Sequence, residues 1–149
     1  MSDSTTATTE TEVVRAFLAA LERLDVDGAL DLADLDIVYQ NVPLPPARGL
    51  PAFERQMRWL ERRASGFEAR IHAMAADGST VLTERTDVIE LGRVRAEFWV
   101  CGTFEIRDGK VALWRDRFDY VDLAVAFLKG AARALLASAR SARSGPQRH

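Results

Sequence analysis

Acid–base chemistry in this chain has few side chains to draw on. Among 149 residues there are two histidines, His72 and His149, the second at the very end, and one cysteine, Cys101. A Ser-His-Asp or Cys-His system, or a multi-histidine metal site, would rest on His72 almost alone, and an intramolecular disulfide or cysteine-rich zinc site is excluded. Carboxylates are therefore the candidate agents near neutral pH. Alternation of inward and outward side chains along strands places three sets of polar residues on apolar faces. One face reads Val81, Thr83, Arg85, Asp87, Ile89, Leu91, and another reads Ala112, Trp114, Asp116, Phe118, Tyr120. A third reads Leu35, Ile37, Tyr39, Asn41, with the two apolar residues marking it as inward.

A buried unpaired carboxylate is costly, so Asp87 and Asp116 need a partner. Arg85 can serve both, because its planar fork bridges two carboxylates. A buried ion cluster that only fixes the fold is the plain alternative, and alternation alone weighs the two readings equally. Two features favour a site. Two acids share one arginine, which favours a shared proton, and Tyr39 and Asn41 add hydrogen-bonding groups that the ion pairs do not require. Two interacting carboxyls in a dry site supply an acid and a base together. The base can strip a water held by Tyr39 and Asn41, and the acid can protonate a leaving oxygen. Ile37, Ile89, Trp114 and Phe118 would give apolar walls for an apolar substrate.

The elements that must position these residues follow from periodicity. Val13, Val14, Phe17, Leu18, Leu21 and Leu24 form an apolar stripe on a helix from about Glu10 to Leu24. A short helix is expected over Asp27 to Ala33, and a third begins near Pro51, which suits a first helical turn. Phe53, Met57 and Leu60 give that helix its buried face. Strands then dominate. Phe67, Ala69, Ile71 and Ala73 alternate with Glu68, Arg70, His72 and Met74, which places His72 on a solvated face. Val81 to Leu91, Val94 to Ile106 and Lys110 to Tyr120 follow, with turns at Gly78, Gly92 and Asp108-Gly109. A helix over Val121 to Ala139 ends the pattern. Residues 1–9 read as a disordered tail, 10–140 as one catalytic domain, and 141–149 as a flexible tail. The expected fold class is α+β, a strongly curved mixed β-sheet with helices on its concave face and a cone-shaped pocket. With net charge −2 and no basic block, nucleic acid is a poor partner. No apolar run approaches the ~20 residues of a spanning helix and no signal-peptide pattern opens the chain, so a cytoplasmic protein is expected.

Tyr39-Gln40-Asn41 with Pro43-Leu44-Pro45-Pro46, Glu84-Arg85-Thr86-Asp87, Trp114-Arg115-Asp116 and Phe118-Asp119 together resemble the limonene epoxide hydrolase family. The resemblance runs from the first helix to about Asp122. It implies the cone fold shared with nuclear-transport-factor-like proteins and ketosteroid isomerases. It implies one-step addition of water to an epoxide, giving a vicinal diol, with no cofactor and no metal. It gives Asp116 the role of base, Tyr39 and Asn41 that of holding the water, Asp87 that of acid, and Arg85 the place between the two carboxylates. It also implies a homodimer and an apolar epoxide of terpene, sterol or fatty-acyl type.

The rivals are an isomerase or cyclase resembling ketosteroid isomerase, with Tyr39 and one aspartate as oxyanion donors, and a non-catalytic lipid or sterol binder. The bridging arginine and Asn41 argue against the first, and the buried trio argues against the second. Cys101, Trp59 and Trp99 read as packing residues, and Asp119 and Asp122 as surface or cap residues.

Overall fold

The computed structural model describes residues 2–143, with only the backbone of residues 2–8. In chain order the elements are α1 Ser2–Glu22, α2 Val26–Asp31, β1 Ala33–Val42, β2 Ala47–Arg48, α3 Leu50–Arg63, β3 Gly66–Asp77, β4 Thr80–Leu91, β5 Val94–Arg107, β6 Lys110–Arg117 and α4 Tyr120–Arg143. The strands form one sheet in the order β2-β1-β6-β5-β4-β3. β3 to β6 run antiparallel through tight turns, whereas β1 lies parallel to β6. The fold is the expected open, curved, mixed α+β sheet. At Asp108-Gly109 both residues have positive φ, 51° and 73°, the geometry a two-residue hairpin turn needs.

One face of the sheet is covered. Val14, Phe17, Leu18 and Leu21 of α1 are all at most 1% exposed, so the periodic stripe is the buried one. Phe17 is the hub, edge-on to Trp114 at 5.3 Å and to Phe104 at 6.4 Å, and stacked near Phe53 of α3 at 6.0 Å. The opposite face carries His72, Leu82, Glu84 and Trp99 to the surface. Among the described residues, no helix is long and apolar enough to cross a membrane.

Several local features differ from the periodicity reading. α1 begins at Ser2, so residues read as a tail continue the helix, since nothing between Ser2 and Glu10 breaks it. It stops at Glu22, and Leu24 takes a left-handed φ of 54°. Leu35 is 76% exposed rather than inward, because the β1–β6 register shifts between Ala33 and Val38 and resets the alternation. In β3 a bulge between Ile71 and Ala73 does the same: Ala73 faces out, while Met74 and Ala76 pack against the core. β2 was not foreseen because two residues carry no period. The last strand ends at Arg117, and α4 extends to Arg143, so residues 141–143 of the expected C-terminal tail are helical. Residues 144–149 of that tail lie outside the described residues.

Candidate active site

Strand register builds the site in rows. Thr83 on β4 pairs with Gly102 on β5, Gly102 pairs with Asp116 on β6, and Asp116 pairs with Asn41 on β1. The next row, one inward step along, is Val81, Phe104, Trp114 and Tyr39. The second row is aromatic and apolar, and the first is polar with a gap at Gly102. A Cβ there would lie 2.5 Å from Arg85 Nη1, 2.8 Å from Thr83 Oγ1 and 2.9 Å from Asp116 Oδ1. The missing side chain is thus the slot through which Arg85 reaches from β4 to β6. Only the pairing of three strands reveals the role of Gly102.

Arg85 is fully buried, and its guanidinium joins the two acids. Nε donates to Asp87 Oδ1 and Nη2 to Asp87 Oδ2, both at 2.9 Å, and Nη2 also donates to Asp116 Oδ2 at 2.7 Å. Nη1 donates to Thr83 Oγ1 at 3.3 Å. Trp114 Nε1 donates to Asp116 Oδ1 at 2.8 Å, which fixes that carboxylate from its other side. Asn41 Nδ2 donates to Tyr39 Oη at 3.0 Å, and the Tyr39 ring lies 4.7 Å from Trp114. Both aspartates are 4% exposed.

Electrostatics follow from this geometry. Burial pushes the Asp116 carboxyl above its ordinary range, Arg85 opposes the shift by charge and hydrogen bond, and Asp87 adds to it. Burial, then the Asp116 charge, raises Tyr39, which therefore stays a neutral phenol. Burial works against the Arg85 charge, but the two aspartates outweigh it and hold the guanidinium protonated. Two carboxylates facing one guanidinium in a dry site leave an excess negative charge, which binding one proton relieves. Among the described residues no group of three His, Cys, Asp or Glu is arranged to hold a metal ion.

The trio opens onto a cavity of about 800 Å³. Tyr39, Asn41, Asp87 and Asp116 line it, as do Ile89, Trp114 and Phe118, while Arg85 sits behind the two aspartates. Ile37 is not among the residues that line it: it is fully buried in the core cluster. Trp59, read from sequence as packing, does line the cavity, as do Leu123 and Phe127 of α4. Trp99 is half exposed and donates to Glu84. His72 is exposed, with Nε2 2.7 Å from Thr86 Oγ1, on the face away from the cavity. Asp119 caps α4, its Oδ1 accepting from Val121 N at 2.8 Å.

Comparison with known proteins places this architecture. The model of the limonene-1,2-epoxide hydrolase catalytic domain matches residues 8–129. The epoxide hydrolase EphG of Mycobacterium tuberculosis is 44% identical over 117 residues, 78% of each chain. The solved structure of an M. tuberculosis limonene-epoxide-hydrolase-like epoxide hydrolase superposes with a TM-score of 0.82 at 41% identity, over 87% of this chain and 97% of that one. An NTF2-like protein of unknown function from Burkholderia pseudomallei shares the fold at 13% identity, with a TM-score of 0.71 over 80% of this chain and 97% of that one.

Proposed function

This chain belongs to the limonene-1,2-epoxide hydrolase family and is an epoxide hydrolase; we propose that it opens an apolar epoxide with water in a single step, without a covalent enzyme intermediate. The observation that carries this reading is the Asp87–Arg85–Asp116 bridge at the polar end of the cavity, with Tyr39 and Asn41 beside Asp116.

In this scheme a water sits among Asp116, Asn41 and Tyr39. Asp116 takes its proton as the water oxygen attacks one epoxide carbon. The carbon–oxygen bond breaks, and Asp87 gives its proton to the departing oxygen. The product is a vicinal diol, and the net change in the protein is one proton moved from Asp87 to Asp116. That proton must return before the next turnover. Burial suits Asp116 to its role, since a raised carboxyl is the stronger base. Arg85 already holds both Asp87 oxygens, so the Asp87 proton belongs on a lone pair facing the cavity. Each assisted proton transfer is typically worth about 10²–10⁴-fold. Water, base and acid are all supplied here, so the scheme calls for no cofactor.

The apolar walls, Ile89, Trp114 and Phe118 among them, support an apolar epoxide of terpene, sterol or fatty-acyl type. A homodimer is part of the same reading. What supports it is α4, whose Leu123 and Phe127 turn to the cavity while Val121, Val125, Leu128, Leu135 and Leu136 stay exposed on its other side.

The deciding experiment is single-turnover hydrolysis in ¹⁸O-water with enzyme in excess. Label in the first diol formed is expected for direct attack. Unlabelled first-turnover diol would mean an ester on the protein and would refute the one-step scheme.

A further inference from the structure

Arg85 has a third partner, and it is not an acid. Its Nε and Nη2 grip Asp87, and Nη2 also reaches Asp116, which leaves Nη1. Nη1 donates to Thr83 Oγ1 at 3.3 Å, and the Thr83 hydroxyl donates in turn to the Gly102 carbonyl at 3.5 Å. Thr83 is 5% exposed and is not among the residues that line the cavity. It therefore touches no substrate, and anything it does for the reaction passes through Arg85. Val81, the preceding inward residue of β4, is apolar and fully buried, so this face accepts a branched hydrocarbon. Valine at position 83 would match the shape of threonine but leave a buried guanidinium N–H without an acceptor.

The consequence falls on Asp116. Arg85 meets Asp87 with its Nε–Nη2 edge, two bonds to two oxygens, and meets Asp116 with one bond from Nη2. The edge formed by Nη1 and Nη2 has the same fork geometry and fits a second carboxylate equally well. Nη1 and Asp116 Oδ1 lie 2.5 and 2.9 Å from the point that a Gly102 Cβ would occupy, so they flank one small space. The Thr83 bond holds Nη1 short of that second contact. A carboxylate gripped twice by one guanidinium is stabilised as the anion and is a weaker base.

We infer that Thr83 is a positioning residue: by occupying Arg85 Nη1 it limits Asp116 to a single arginine bond, which leaves the carboxylate its lone pairs for water. The role rests on Asp116 being the base in the hydrolase reading above. The charged and titratable groups that act on Asp116 are Arg85 and Asp87 on β4 and Tyr39 on β1. β5 brings Gly102 to it, and α4 brings the uncharged Leu123 and Phe127 to the cavity. Arg48 and Arg55 also line the cavity, are exposed, and are common to every variant below.

Thr83→Val and Thr83→Ser are compared with wild type on cyclohexene oxide across pH, with thermal melts alongside. In Thr83→Val the acid limb of kcat/KM is expected about one pH unit lower, with the plateau of kcat down roughly three- to tenfold. Inhibition by the product, cyclohexane-1,2-diol, is expected unchanged, since Thr83 does not reach the cavity. Thr83→Ser keeps the acceptor and is expected to restore both limb and plateau. A residue that only supported the fold would lower Tm and leave the limb in place. An unshifted limb in Thr83→Val, or a serine variant displaced as far as valine, overturns the inference. Should valine not fold, Thr83→Cys, nearly isosteric and a weak acceptor, reads the same limb. The label in the first-turnover diol judges the one-step scheme separately. A shifted limb with unlabelled diol sustains Thr83 and sinks that scheme, and an unshifted limb with labelled diol does the reverse.

Discussion

Gly102→Ala tests whether the trio depends on an empty slot in the middle strand. The new methyl carbon would sit 2.5 Å from Arg85 Nη1 and 2.9 Å from Asp116 Oδ1. Ordinary contact between such atoms is about 3.5 Å, so the guanidinium must withdraw by about 1 Å. The 2.7 Å bond from Nη2 to Asp116 would then lengthen past hydrogen-bond range. Overpacking of this kind costs about 1–3 kcal/mol, and uncoupling a buried ion pair costs about 3–5 kcal/mol where no relaxation intervenes. Because Gly102 lies in a regular strand without positive φ, alanine brings no backbone penalty, and any loss belongs to the clash. A Tm lowered by several degrees is expected, with kcat reduced at least ~10²-fold because base and acid lose their common partner. Thermal melts and initial rates on an apolar epoxide read both. Wild-type Tm and rate in Gly102→Ala would refute the slot argument, and with it Arg85 as the mechanical link between the two acids.

Asp87→Asn and Asp116→Asn should each remove most turnover, roughly 10²–10⁴-fold, in proteins whose circular dichroism is native; wild-type kcat in either would strike that residue from the mechanism. The raised Asp116 carboxyl fixes two pH effects. Its protonated form is the one the fold favours, so the stability it contributes is complete below the unfolded pKa and is lost as pH rises through the folded one. The Tm of Asp116→Asn should therefore gain on wild type across that interval. The acid limb of kcat/KM should also lie above the ordinary aspartate range, since the base must be ionised. His72→Ala should leave the steady-state rate nearly unchanged, because His72 is on the outer face, bound to Thr86. Leu128→Glu with Leu135→Glu should turn the proposed dimer into a monomer by sedimentation, while an unchanged mass would move the interface off α4.

How much was legible depended on whether the strand ladder is regular. Arg85, Asp87 and Asp116 could be read from alternation because β4, β5 and most of β6 run without a break through their part of the site. Tyr39 and Asn41 follow the β1 bulge, so their inward aim survived, but Leu35 before it did not. Ile37 was read correctly as buried and wrongly as part of the cavity: alternation gives the face of a residue, not its depth along the sheet. The bulge in β3 left no mark in the composition of its strand. Gly102 leaves room for the bridge between acids on the two strands beside it, a relation no single segment carries, whereas the Trp114 indole reaches Asp116 along its own strand.

The parallel pairing of β1 with β6 has a kinetic consequence. Every other long strand pairs with its sequence neighbour through a two-residue turn and can zip locally. β1 must wait for the last strand of the sheet, and it carries Tyr39 and Asn41. Contacts between such distant segments form slowly, because loop-closure entropy is spent before any contact repays it. The water-holding pair therefore joins the two acids only at the end of folding. A nascent or truncated chain can own a finished hairpin ladder and still have nowhere to place a water, so recovery of activity on refolding lags recovery of sheet.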